Sequence, residues 1–180
     1  VMMVFIVAFM TTLNPQRFPT FGNLISMSYQ LPIIGFLAMG MMVTVLTGGI
    51  NLAIISTTNF TGIVTILVLR AFAGDATADA TPIVTLLAAG GGLLAALSSG
   101  LICGLMVAYL EIPAFLATLG IGTLLNGVNI VITKGYTWTG FPPAILAIGN
   151  GMTFGIPNPF ILFIVAALIL SFALNRTVFG

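Results

Sequence analysis

Residues 41–59, MMVTVLTGGINLAIISTTN, decide how the rest of the chain is read. An apolar run enters Gly48-Gly49, meets the amide of Asn51, and continues through Ser56, Thr57, Thr58 and Asn59. Hydrocarbon offers a backbone no hydrogen-bond partner, so a small and polar interruption within lipid-compatible sequence has to be satisfied by protein or by water. The stretch predicts a helix broken near Gly48-Gly49 within a membrane, and it is the first place to look for function.

The chain around it requires the same solvent. Of 180 residues, 59% are hydrophobic, 4% are charged and none is histidine; mean hydropathy is +1.26. A soluble domain is about one quarter charged. The apolar runs, roughly 17–28 residues long, are helix-length, whereas a β-barrel alternates in segments of about ten. The predicted fold class is therefore an all-α, polytopic membrane helical bundle. It has about six spanning segments and forms a single transmembrane domain over residues 1–180.

Outward from the break, the expected order is as follows. Residues 1–13 form a first segment, closed by a loop with Pro15 and Pro19. Residues 21–30 form a short interfacial helix, and Pro32 opens a second span, residues 33–47, which is short for a hydrocarbon core about 30 Å thick. A third runs from Asn51 to about Val68 and closes with Arg70, whose stem can snorkel to the interface. The loop at residues 73–79 holds Asp75 and Asp79 and belongs in water. Pro82 opens a fourth span, to about Leu110. A fifth covers residues 114–133, and a sixth residues 160–174. Between the last two, Tyr136, Trp138 and Phe141 mark a membrane surface, and residues 144–148 read as an interfacial helix. Both ends lie at apolar runs, so the sequence is expected to be part of a longer protein.

Two features carry side-chain patterns. In the fourth span Gly92, Ala96, Gly100 and Gly104 recur at intervals of four, which lines one helix face with residues lacking bulk and permits close helix packing. Gly90-Gly91-Gly92 is not followed by Gly-Lys-Ser/Thr, so it is no phosphate loop. In the fifth span Asn126 and Asn129, three apart, share a face. Buried amides in a membrane helix bond a neighbouring helix or line a path, and both readings stand.

Several classes are excluded by residue type. With no histidine, one cysteine and three acids, all in loops, the chain cannot build a Ser-His-Asp triad, a zinc site or an intramembrane carboxylate pair. No catalytic residue, no metal and no cofactor is expected in this chain. Cys103, within an apolar run, is expected to pack. A net charge of +1 leaves no basic footprint for nucleic acid and no polybasic patch for lipid headgroups, so membrane lipid is met through apolar surface.

Three stretches together resemble one family. LTGGINLA (residues 46–53) resembles the TGGIDLSVG signature of the ribose-type, simple-sugar permeases of ABC importers, in the superfamily that also holds branched-chain amino acid permeases. IPAFLATLGIGTLLNGV (residues 112–128) is similar to their IPPFIATLGTMTIARGL, and LNRTVFG (residues 174–180) to their LNRTRFG. Asn51 stands where the family usually has Asp, Ala53-Ile54-Ile55 where it has Ser-Val-Gly, and Asn126 where Arg is common.

The resemblance implies the multi-pass permease subunit of an importer in the cytoplasmic (inner) membrane of a prokaryote. It would move a small polar solute, foremost a monosaccharide, by alternating access. It also implies a second permease copy, identical or not, a separate ATPase subunit that hydrolyses ATP, and an extracytoplasmic solute-binding protein. The C-terminal part, with the coupling helix, would then be missing here. Gly48, Gly49, Asn51, Thr58, Asn126 and Asn129 become the candidate path or gate residues. Branched-chain amino acids or nucleosides are the competing solutes, and a non-transporting membrane scaffold is the reading from another class. The resemblance puts Glu111 and Arg176 in the cytoplasm and Arg17, Arg70 and Lys134 outside, against the positive-inside rule.

Overall fold

A computed structural model describes residues 2–74 and 76–176. Asp75 of the predicted aqueous loop and residues 177–180 of the LNRTVFG motif lie outside the described residues. The fold is all-α: α1 (Met2–Leu13), α2 (Phe21–Leu46), α3 (Ile54–Ala73), α4 (Pro82–Tyr109), α5 (Ala114–Thr133), α6 (Pro143–Asn150) and α7 (Asn158–Arg176). Five of these, α2, α3, α4, α5 and α7, are long and apolar enough to cross a membrane. With 12 described residues α1 is a shorter apolar helix, so about six predicted spans become five that qualify by length and composition.

The largest departure from expectation is at Pro32. The predicted interfacial helix and short second span are one helix of 26 residues with Pro32 inside it. Proline removes one N–H from the ladder, here the bond to the Ser28 carbonyl, but flanking turns of a long apolar helix keep their own bonds. At about 1.5 Å rise per residue such a helix is ample for a bilayer core.

The helix does break at Gly48-Gly49, and the reason is a Schellman ending. Gly48 N–H donates to Val45 O at 3.0 Å and Gly49 N–H to Thr44 O at 2.9 Å, while Gly48 adopts φ +84°. That left-handed turn favours glycine and uses up carbonyls that a straight helix end would leave bare. Residues 47–53 are non-helical, so α3 starts at Ile54, three residues later than the predicted Asn51.

By compactness the chain divides into Val1–Phe36 with Ala147–Gly180, and Leu37–Leu146. In the first unit, Asn158 fastens the start of α7: its side-chain nitrogen donates to Ala147 O at 2.8 Å, and its oxygen accepts from Thr153 Oγ1 at 2.6 Å. A two-residue hairpin, β1 (Met152–Thr153) with β2 (Ile156–Pro157), turns through Phe154 and Gly155, both at positive φ as a type I′ turn requires. Tyr29 Oη donates to Asn150 O at 3.1 Å.

In the second unit α3 is central, packed on α4 and α5, and its Ile66 and Leu69 are among the most buried side chains. Gly91 and Gly92 let α4 approach: a Cβ on Gly91 would stand 3.0 Å from Val68, and one on Gly92 would collide with Thr65 Oγ1. On the other side Gly122 of α5 meets Ala53, whose Cα would lie 3.3 Å from an added Cβ. Most hydroxyls along these helices donate to the preceding turn, as Thr58, Thr61 and Thr65 do to Ile54, Thr57 and Thr61. Bonded that way, they are compatible with an apolar surround.

Candidate functional site

The break between α2 and α3 is held by α5. Thr118 Oγ1 accepts the Leu52 N–H at 3.2 Å, and its own proton lies within reach of Ala114 O at 2.8 Å and Ile50 O at 3.0 Å. A Cβ on Gly49 would stand 3.3 Å from Ala114 Cβ. Asn51 turns inward on its own backbone, its Oδ1 accepting the Ala53 N–H at 2.9 Å, an Asx turn that leads into α3. The break thus lies beside the first turns of α5, where one hydroxyl and one amide supply what hydrocarbon cannot.

Two cavities flank α3. The first, about 500 Å³, opens beside the break and is lined by Asn51, Thr57 and Thr58 together with Ala96, Gly100 and Gly104 of α4. The second, about 530 Å³, lies between α3 and α5, with Thr58, Asn126 and Asn129 in its wall. Residues 134–142, a strap that follows α5, close one side of it with Tyr136, Trp138 and Phe141. The Arg70 guanidinium sits 4.3 Å from the Trp138 ring centroid, a cation–π contact that ties the strap to the end of α3.

Asn129 is the buried member of the amide pair, 7% exposed. Its Nδ2 donates to Ser56 O at 3.3 Å, joining α5 to α3. Its Oδ1 is the buried side-chain oxygen left without a hydrogen-bond partner among the described residues. Asn126 lies at an exposed position on the same cavity.

The predicted site residues therefore fall into three places. Gly48 and Gly49 shape the break and line neither cavity; Asn51 faces the cavity beside the break; Asn126 and Asn129 face the one under the strap, and Thr58 lines both. The small-residue face of α4 divides likewise. Gly92 is pressed on α3, while an added Cβ on Gly100 or Gly104 meets nothing within 4 Å, and both line the first cavity with Ala96. Sequence reasoning missed Thr118 as the partner of the break, because a hydroxyl four residues after Ala114 reads as ordinary bonding within one helix. It also read Tyr136, Trp138 and Phe141 only as surface aromatics.

Five helices of this length and apolarity define a multi-pass membrane protein. The comparisons sharpen that class. The chain is 27% identical over 181 residues to the L-arabinose ABC transporter permease protein of Azospirillum brasilense, covering 100% of this chain and 50% of that protein. It is 32% identical over 166 residues to the galactofuranose transporter permease protein of Escherichia coli, covering 89% and 44%. It is 29% identical over 177 residues to the ribose import permease protein of Bacillus subtilis, covering 97% and 52%. The resemblance read from the three motifs is thus a similarity to sugar ABC transporter permeases along most of the chain. The chain spans about half the length of these curated relatives. It matches no family profile and no solved structure.

Proposed function

We propose that the full-length protein is the permease subunit of an ATP-driven importer that moves a monosaccharide inward across the cytoplasmic membrane of a prokaryote. The observation that carries this reading is the similarity to arabinose, galactofuranose and ribose permeases over most of the chain. The cavities beside α3 support it, since they offer amides and hydroxyls with no charged side chain among the described residues of the wall. A transport path needs polar contacts weak enough to release the solute, and such groups suit a neutral one.

In this reading the chain is not an enzyme. A separate ATPase subunit hydrolyses ATP, an extracytoplasmic binding protein delivers the sugar, and a second permease copy completes the path. The break at residues 47–53 serves as pivot or gate when the helices rock between outward and inward opening, with Glu111 and Arg176 on the cytoplasmic side.

Reconstitution into proteoliposomes with the ATPase and binding protein tests it. Accumulation of a labelled pentose or hexose that depends on ATP is the expected result. Accumulation of a branched-chain amino acid or a nucleoside, with no sugar, overturns the solute class; accumulation of none of them overturns the importer.

A further inference from the structure

We propose that the hairpin before α7 is a lipid anchor: the ring of Phe154, at its tip, sits in the interfacial layer of the bilayer beside the point where α7 enters the membrane. It is independent of the solute the protein carries.

Two separate disadvantages meet at Phe154. Its side chain is 99% exposed, more than any other large apolar side chain among the described residues, so in water the whole ring would be hydrated, which the hydrophobic effect opposes. Its backbone is at φ +53°, in the left-handed region, where a bulky residue is an outlier and where the first central position of a type I′ turn favours asparagine or glycine. Asparagine there would avoid both. Transfer of the ring out of water offsets them, and no group among the described residues covers it.

The tip stands on a fastened base. Asn158 N–H donates to Gly151 O at 2.9 Å and its Nδ2 to Ala147 O at 2.8 Å, a carbonyl that also accepts the Gly151 N–H at 3.1 Å. Polar groups are thus met at the foot of the hairpin, and what projects is apolar: Phe154, with Met152 and Ile156 also exposed on the flanking strands.

Position and charge say what covers the tip. α7 has 19 residues, about 28 Å at about 1.5 Å per residue, against a hydrocarbon core about 30 Å thick. With Arg176 at one surface, Asn158 falls at the other, and the chain from Phe154 to Asn158 reaches at most about 14 Å. Residues 135–175 hold no Asp, Glu, Lys or Arg. The hairpin therefore has no charge to complement a water-soluble partner, and none to oppose entry into the headgroup–acyl boundary, where the apolar side chains of surface-lying segments are buried.

The test uses the full-length protein, with Cys103 and any other cysteine replaced by alanine, in vesicles of phosphatidylcholine. A nitroxide on Phe154→Cys is exposed to oxygen, which concentrates in lipid, and to a nickel chelate, which stays in water. The same label on Asp79→Cys, at an exposed acid, gives the aqueous reference. The oxygen-to-nickel accessibility ratio at position 154 is expected to exceed that at position 79 several-fold. A label on Met152→Cys then reads the native ring: with Phe154→Asn, which keeps the turn, its ratio should fall several-fold as the tip rises into water. Nickel access at 154 equal to that at 79 would put the tip in water, and protection from both reagents would put it under protein, a second copy or another subunit; either result overturns the anchor. A ratio at 152 unchanged by Phe154→Asn overturns the role of the ring.

Discussion

Thr118 Oγ1 receives the Leu52 N–H at 3.2 Å, so a single hydroxyl on α5 serves a backbone that has left helical pairing. The same oxygen can donate to Ile50 O, which closes a loop of bonds across the break. Replacing it with the isosteric valine strands a donor in a place where water is scarce, at about 1–3 kcal/mol. Thr118→Val is expected to lower the thermal stability of the detergent-solubilised full-length protein by that amount, and Thr118→Ser to retain most of it. Equal melting of Val and wild type would remove Thr118 from this role.

Gly48 tests the break from the other side. A Cβ there meets nothing within 4 Å, so space is not the issue; φ +84° is. An L-residue in that region costs about 1–2 kcal/mol, so Gly48→Ala should destabilise the full-length protein by about that much in thermal unfolding. Gly48→Asn should lose less, since asparagine tolerates the left-handed region better than other side chains.

The glycines of α4 make opposite predictions on one helix face. Gly92→Ala drives a methyl into Thr65 Oγ1 and to 3.1 Å from the Thr61 carbonyl, a backbone atom that cannot swing away. Separation of α3 from α4 follows, with a loss of about 1–3 kcal/mol as in other overpacked cores. Gly100→Ala and Gly104→Ala enter open space and should leave stability equal or raised by up to about 1 kcal/mol through helix propensity. Melting curves of the three single variants decide it.

How far these features were legible follows from the kind of force behind each. The ends of α4 and α5 were legible, since Pro82 opens one and Pro113 precedes the other, and both signals are local. The ending at Gly48-Gly49 was legible for the same reason, glycine being cheap at positive φ. Pro32 misled because its local preference was outweighed by the apolar turns on either side, which a membrane helix keeps intact. The spacing of Asn126 and Asn129 placed them on one face, but only tertiary packing separates the exposed amide from the buried one. Thr118 carried no signal, since its second partner lies 66 residues away in sequence.

Arg70 and Trp138 make the strap testable. A cation–π contact is worth about 0.5–1 kcal/mol at an exposed site and about 2 when desolvated. Arg70→Met keeps the length of the stem and removes the charge, so opening of residues 134–142 should become several-fold more frequent. Tryptic cleavage after Lys134, an exposed residue at φ +53°, reads that opening. A cleavage rate unchanged in Arg70→Met would mean that the strap is held by other contacts, such as Gly140 against Thr77.

Asn51 settles what the missing charge of the familiar TGGID pattern means here. Its Oδ1 accepts the Ala53 N–H at 2.9 Å, and a carboxylate oxygen can accept the same bond. Asn51→Asp should therefore preserve the Asx turn. At the start of α3 a negative charge also gains about 0.3–1 kcal/mol from the helix dipole, against the cost of desolvating a half-buried carboxylate. Asn51→Leu removes the acceptor and should cost about 0.5–2 kcal/mol, as the loss of a helix cap does. If thermal unfolding and sugar uptake of the full-length protein fall in Leu but hold in Asp, the position is structural and its charge is incidental. If uptake falls in Asp while stability holds, the uncharged amide is itself required on the path.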